Sequence, residues 1–268
     1  MATDHNMYLA QSIERFRIKT IGYFPKPRLP YIILEDGLVF YGTPGKREKV
    51  FEDIIIGIVE IVKDLEYRYF QYNREIKQHS KYHYKPGDVV VELGSYLGYY
   101  SMYAARQVGP TGKILSVEMI PENYAVLKLN LETNFPQNSI AINRGIHKEK
   151  GIGTAYLGHN QIAGFRKDVI ERYVPNVQEI KVEMDTVDNI LQAHGVTKVD
   201  LMIIQINGNE IDALQGMHKS IHAVRNFAIA APYDRKGKNH KKIIGAYLIE
   251  KGFDVDVNPP WVFARCRG

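Results

Sequence analysis

The run Val89-Val90-Val91-Glu92-Leu93-Gly94-Ser95-Tyr96-Leu97-Gly98 decides how the rest of the chain is read. Val89 to Leu93 is apolar and strand-length, broken only by Glu92 and stopped by Gly94. Glycines at 94 and 98 permit a tight turn and a close approach of backbone to a ligand. Tyr99 to Val108 then follows as a helix.

Outward from this unit, apolar strands keep alternating with helices. Ile114 to Met119 reads as a strand, and Pro121 to Asn130 as a helix with proline in its first turn. Ser139 to Asn143, Val199 to Ile206 and Phe227 to Ala231 read as strands, with Ile180 to Met184 an extra extended piece. Thr186 to His194, stopped by Gly195, Glu210 to Lys219 and Lys241 to Lys251 read as helices. This alternation predicts a mostly parallel sheet covered on both faces. Only Asn258-Pro259-Pro260 separates Phe253–Val257 from Trp261–Arg265, too little for a helical crossover, so these two strands pair antiparallel. Residues 86–268 are thus expected to form a doubly wound, Rossmann-like α/β domain with an antiparallel C-terminal edge.

Residues 1–85 have another style and are expected to form a small helix-and-hairpin cap. A helix spans the first seventeen residues, and a loop punctuated by Pro25, Pro27 and Pro30 follows. Asp36-Gly37 marks a hairpin between Tyr31–Leu34 and Leu38–Tyr41. Val50, Ile54, Ile58, Ile61 and Val62 then recur at helical spacing, and tyrosines crowd the stretch from Tyr67 to Tyr84, read as packing against the main domain.

With 268 residues, 45% of them hydrophobic, the chain can bury a sizeable core. A net charge of +5 is too small to argue nucleic-acid binding by itself. One cysteine, Cys266, excludes an internal disulfide framework and a cysteine-cluster metal site, and a reducing cytoplasm fits best. No stretch reads as membrane-spanning; Ile54 to Val62 is too short.

In doubly wound sheets, ligands bind beyond the carboxyl ends of the strands, where the strand order reverses. The loop there is not a GxGxxG dinucleotide fingerprint: it has only Gly94 and Gly98, with a carboxylate in front. Glu92 beside a diphosphate is unfavourable, whereas beside an amino or sulfonium group it is favourable. The second strand ends in Glu118, where a carboxylate can accept both hydroxyls of a ribose. The combination points to an adenosyl ligand that carries positive charge.

Val89 to Ser101, ending Gly98-Tyr99-Tyr100-Ser101, resembles the first motif of S-adenosylmethionine-dependent methyltransferases of the FkbM family. The resemblance runs from about residue 67 to 257 and takes in Pro86-Gly87-Asp88, Glu118, Pro121, Leu127 and Asn130, Asp185-Thr186-Val187-Asp188 and Gly208-Asn209-Glu210. It implies methyl transfer from S-adenosylmethionine, usually to a hydroxyl of a sugar, polyketide or related small molecule. It also implies that Gly94, Ser95, Tyr96 and Gly98 wrap the amino-acid end of the cofactor, with Glu92 helping to hold it and Ser101 facing the same loop. Glu118 holds the ribose, Met119 lies beside the adenine, and Arg144 to His147, Gly145 included, borders it.

One departure falls in a sensitive place. Where the family reads approximately Lys-Ile-Asp-x-Glu-Gly-x-Glu, this chain has Ile203-Ile204-Gln205-Ile206-Asn207-Gly208-Asn209-Glu210, with amides for two carboxylates. Gln205 then falls on the cofactor side, and Asn207 and Glu210 become the catalytic candidates. Three readings stay open: transfer that relies on alignment rather than a base, Glu210 as the general base, or a protein that binds the cofactor without transferring methyl. The amides are a weak donor set for a hard dication, and His218, His222 and His240 lack ligand spacing, so no metal is expected. Ala231-Pro232-Tyr233 is similar to an adenine amino-methyltransferase element but follows the wrong strand. The basic run 235–242 leaves an RNA or protein acceptor as the alternative to a small molecule.

Overall fold

The computed structural model describes residues 2–267 except 27, 46–49, 81, 159–161, 173, 175 and 233–239. After α1 (Ala2–Phe16), a three-stranded antiparallel sheet forms from β1 (Ile18–Phe24), β2 (Leu29–Leu34) and β3 (Val39–Tyr41). The hairpin at Asp36-Gly37 is β2–β3, whereas β1 has no counterpart in the sequence reading. Gly22 hides it: a glycine in mid-strand lowers strand propensity, and here it makes room for a partner. A Cβ on Gly22 would lie 2.0 Å from the ring of Tyr31, which crosses the strand pair at that point.

The free edge of β3 is closed by a helix. Val39 N–H donates to Asn134 Oδ1 (2.9 Å) and its carbonyl accepts from Asn134 Nδ2 (2.8 Å). Tyr41 makes the same pair of bonds with Asn130, at 2.8 and 3.2 Å. Side-chain amides four residues apart on a helix thus stand in for a fourth strand. Next, α2 (Val50–Asp64) continues through a π-helical turn, Leu65–Gln71, into α3 (Tyr72–Ser80). The tyrosine-rich sequence hides this continuation.

The main sheet begins with β4 (Val89–Leu93), α4 (Tyr99–Val108), β5 (Lys113–Glu118), α5 (Pro121–Asn134) and β6 (Ser139–Asn143). An excursion follows: β7 (Gly145–Ile146), β8 (Gly151–Leu157), β9 (Ala163–Gly164), α6 (Lys167–Ile170) and β10 (Gln178–Asp185). These strands form their own sheet in the order β7-β10-β8-β9. Only a piece of β10 shows in the sequence, because Gly151 and Gly153 interrupt the pattern of β8. The chain then returns through α7 (Val187–Ala193), β11 (Leu201–Ile204), α8 (Glu210–Gln215), β12 (Asn226–Ala230), α9 (His240–Glu250), β13 (Phe253–Asn258) and β14 (Trp261–Cys266).

Seven strands line up as β13-β14-β12-β11-β4-β5-β6, a doubly wound α/β sheet as expected. The C-terminal pair is antiparallel, with β14 lying between β12 and β13 and antiparallel to both. One face is covered by α7, α8 and α9, with Leu191, Leu214 and Leu248 buried there. The other is covered by α4, α5 and the N-terminal residues: Phe40, Ile58, Leu65 and Tyr69 share one core with Val90, Tyr99 and Phe263. Sheet growth runs from β4 to β5 and β6, then reverses to β11 on the opposite side of β4. The carboxyl ends of β4 and β11 therefore diverge around a crevice, the place where such sheets bind ligands.

Candidate functional site

A crevice opens at that reversal, lined from the ends of β4, β5 and β11. Its floor is the turn after β4. Gly94 takes φ +88°, and a Cβ there would come within 2.0 Å of the Gln205 carbonyl oxygen, so the β4 and β11 turns touch only because residue 94 is glycine. Gln205 N–H donates to Leu93 O (2.9 Å), and the amides of Gly94 and Ser95 both donate to Val117 O. Gly98 precedes α4 in the same left-handed region, and Tyr96 is held there too, at φ +51°.

Glu118 explains the strained Tyr96. Its Oε2 accepts the Tyr96 amide and its Oε1 the Ile120 amide, both at 2.9 Å, so the end of β5 and the floor turn are tied by one carboxylate. Asn123 donates to the same carboxylate, which lines the crevice. Burial pushes this carboxyl up to about 7 against the pull of its backbone and Asn123 hydrogen bonds. Met119 and Ile120 continue the wall, and Arg144 and Ile146 face them from beyond β6.

Glu92 lies behind the floor rather than on it. Ser101 Oγ donates to Glu92 Oε2 and meets Ser116 Oγ at 2.6 Å, and Ser95 Oγ donates to the Glu92 carbonyl at 3.1 Å. Burial pushes Glu92 up to about 8, opposed by the Ser101 bond and the positive charge of Arg68. Ser95, Ser101 and Gly98 thus shape the turn without lining the space. Gly145 is also off the lining, with the ring of Phe165 packed where a side chain would stand.

The end of β11 supplies the opposite wall through Gln205, Ile206, Asn207 and Asn209. Both amides that replace carboxylates are donors here. Gln205 Nε2 donates to Tyr72 Oη (3.1 Å) and Asn207 Nδ2 to the Ala163 carbonyl (2.9 Å). One bond reaches the N-terminal helices and the other β9, so each amide ties a peripheral element to the sheet. A carboxylate has no hydrogen to give at either place. Asn207 sits at φ +53°, a conformation asparagine tolerates better than most residues.

Glu210 does not reach this space. It is fully buried; its Oε1 accepts the amides of Ile206 (3.3 Å) and Gly208 (3.1 Å), and its Oε2 lies 3.5 Å from His240 Nδ1. Burial pushes it up to about 7. The carboxylate braces the β11 turn from behind.

Lining residues that the sequence does not single out include Arg68, Asn123, Ala163, Gly164 and Phe165. Arg68 does leave a trace, an Asp64–Arg68 pair at helical i,i+4 spacing in an apolar stretch; the Nε–Oδ1 distance is 3.2 Å. Residues 235–239 of the basic run, and Tyr233, lie outside the described residues. Among the described residues no group of three His, Cys, Asp or Glu side chains is placed to hold a metal, and no helix is long and apolar enough to cross a membrane.

The donor and acceptor set fits an adenosyl sulfonium: a buried carboxylate on the lining for a diol, apolar Met119, Ile120 and Ile146 for a base, and Glu92 behind the turn, whose ionised form suits positive charge. The family model for the methyltransferase FkbM domain matches residues 88–254. Among curated proteins, the chain is 28% identical over 99 residues to protein-L-isoaspartate O-methyltransferase 1 of Archaeoglobus fulgidus, covering 37% of this chain and 42% of that protein. It is 28% identical over 124 residues to the protein-L-isoaspartate O-methyltransferase of Methanothrix thermoacetophila, covering 46% of this chain and 55% of that one. The chain thus spans about half the length of these curated relatives. Among solved structures, the methyltransferase FkbM from Methylobacillus flagellatus KT superposes with a TM-score of 0.50 at 14% identity, covering 79% of this chain and 54% of that chain, a likeness of fold.

Proposed function

The chain belongs to the FkbM methyltransferase family, and on that premise we propose that it transfers the methyl group of S-adenosylmethionine to a hydroxyl of a sugar, lipid or other small molecule, without a metal. The observation that carries this reading is Glu118: a buried carboxylate at the end of β5 that binds the floor turn and lines the crevice. The cofactor supplies a methyl group on a positively charged sulfur, open to direct displacement.

What the chain contributes is position and charge. Glu118 accepts the ribose hydroxyls; Met119 and Ile120, with Ile146 opposite, border the base. Glu92, pushed up to about 8 by burial, ionises more readily when a positive charge lies over the turn, and so favours a cationic tail over a neutral one. Gln205 and Asn207 hold the walls on either side of the β11 turn. Among the described residues, Glu118 is the only carboxylate on the lining and no histidine is there, so alignment rather than proton removal does most at the acceptor. In favourable model reactions alignment supplies roughly 7–11 kcal/mol. Glu210 then acts as a brace for the turn, and residues 1–85 act as a cap that brings Arg68 to the crevice.

Calorimetry with S-adenosylmethionine and S-adenosylhomocysteine, followed by labelled methyl transfer into a cell extract treated with a chelator, tests this. Both ligands should bind, and label should enter the glycan, lipid or small-metabolite pool despite the chelator. Label in RNA or protein would move the acceptor class. Binding without transfer would make the chain a cofactor-binding protein, and no binding of either ligand would end the enzyme reading.

A further inference from the structure

We infer that Arg68 is the subsite for the α-carboxylate of the cofactor, so that the protein selects the complete amino-acid tail and not merely an adenosyl sulfonium; this rests on the function proposed above. Among the described residues lining the crevice, Arg68 and Arg144 are the cations. They serve different ends. Arg144 follows β6, donates to the Asn143 carbonyl at 2.7 Å and pairs with Glu183 at 2.9 Å, on the side of Met119 and Ile146. Arg68 lies over the other end, its guanidinium carbon 4.8 Å from the centre of the Tyr96 ring in the floor turn.

The setting of Arg68 suits an anion of fixed geometry. It comes from the π-helical turn, a break in helical register common at functional sites. Asp64 anchors its Nε at 3.2 Å and the Tyr96 ring supports its face, so the guanidinium plane is oriented before any ligand arrives. Its side chain is only 13% exposed, so a charge-assisted bond there is poorly screened by water. A guanidinium also stays ionised when buried, which a lysine need not. The cofactor's tail carries an ammonium and a carboxylate on one carbon. The ionised form of Glu92, behind the turn, suits the first; Arg68, on the lining and over the Tyr96 ring, is the complementary charge for the second.

The test compares ligands that keep the adenosine and lose first the carboxylate, then the whole tail with the sulfonium charge. Binding of S-adenosylmethionine, decarboxylated S-adenosylmethionine and 5′-methylthioadenosine is measured by calorimetry for the parent, Arg68→Gln and Arg68→Lys, with thermal unfolding as a control. The parent should prefer the complete cofactor to its decarboxylated form by roughly ten- to a hundredfold, the range of one charge-assisted pair. Arg68→Gln should collapse that preference to about twofold or less while leaving 5′-methylthioadenosine within about twofold, and Arg68→Lys should keep part of the preference. Equal loss for all three ligands, or a preference that survives in Arg68→Gln, overturns the assignment. So does an Arg68→Gln protein that binds the complete cofactor normally but needs more acceptor, which would place Arg68 at the acceptor instead. If Arg68→Gln does not fold, the parent alone decides, since equal binding of the first two ligands excludes a carboxylate subsite. A parent that binds none of the three removes the proposed function together with this subsite.

Discussion

Gly94 is the most constrained residue of the site, because a side chain there meets backbone, which cannot swing away. Gly94→Ala places a methyl 2.0 Å from the Gln205 carbonyl at φ +88°. We expect a cost of about 1–3 kcal/mol from the strained backbone and loss of cofactor binding, read by thermal unfolding and calorimetry; unchanged binding would mean the two turns can part freely. Glu118→Ala removes the acceptor of the Tyr96 and Ile120 amides along with the proposed ribose acceptor, and should abolish cofactor binding. Asn207→Asp tests the donor role of the amide. At pH 8 the aspartate cannot donate to the Ala163 carbonyl and cofactor affinity should fall; as the pH drops and the carboxyl regains its proton, part of the affinity should return. A loss independent of pH would argue against the donor. Glu210→Gln keeps an oxygen to accept the Ile206 and Gly208 amides, so turnover should stay within about threefold of the parent; a drop of the ~10²–10⁴-fold expected for a lost general base would restore Glu210 to that role.

Among the secondary elements, the clasp between β3 and α5 ties the N-terminal sheet to the crevice. Asn130 bonds both polar groups of Tyr41 and also donates to the Leu97 carbonyl at 2.8 Å, inside the floor turn. Asn130→Leu therefore leaves backbone groups of two elements unpaired at once, with an expected cost of about 1–3 kcal/mol for each buried group left unsatisfied. Hydrogen exchange should show the Tyr41 amide opening sooner than the amides of β4. Elements with a strong local pattern are legible in the sequence. The main-sheet strands after residue 86, the β2–β3 hairpin and α5 declare themselves through apolar runs and turn residues. Those that are not legible depend on a partner distant in sequence: β1 on Tyr31 filling the space over Gly22, β8 on β10, and the π-helical turn on the core beneath Leu65 and Tyr69. Helix α8 ends at Gln215, earlier than its sequence suggests, as Gly216 packs against the His147 carbonyl.

Taken together, three buried carboxyl groups surround one crevice: Glu92 pushed up to about 8, Glu118 and Glu210 to about 7. Each holds its proton more tightly in the folded chain than in the unfolded one. Between the ordinary carboxylate range and about pH 8 the native state therefore binds more protons, and stability falls as pH rises through that window. The melting temperature of the free protein should accordingly decline from pH 5 to pH 8. A cationic ligand favours the ionised forms, so saturating S-adenosylmethionine should flatten the decline, and its affinity should rise over the same interval. A flat melting temperature would show that these groups ionise as freely in the fold as out of it, and a climbing one that the folded chain favours their ionised forms.

The sequence alone determined the alternation of strands and helices and the family, since a glycine turn after an apolar strand and an acid one strand later are local patterns written in neighbouring residues. Tertiary structure decided what those residues do. Glu118 ties two turns together where it lines the crevice, Glu210 turned its carboxylate onto backbone instead of the crevice, and the amides at 205 and 207 became donors to elements more than forty residues away in the chain. Arg68 entered the site because helices of the N-terminal segment pack on the same face of the sheet as α4. Such roles depend on which groups meet once the chain has closed on itself, and no spacing along one strand or helix records that meeting.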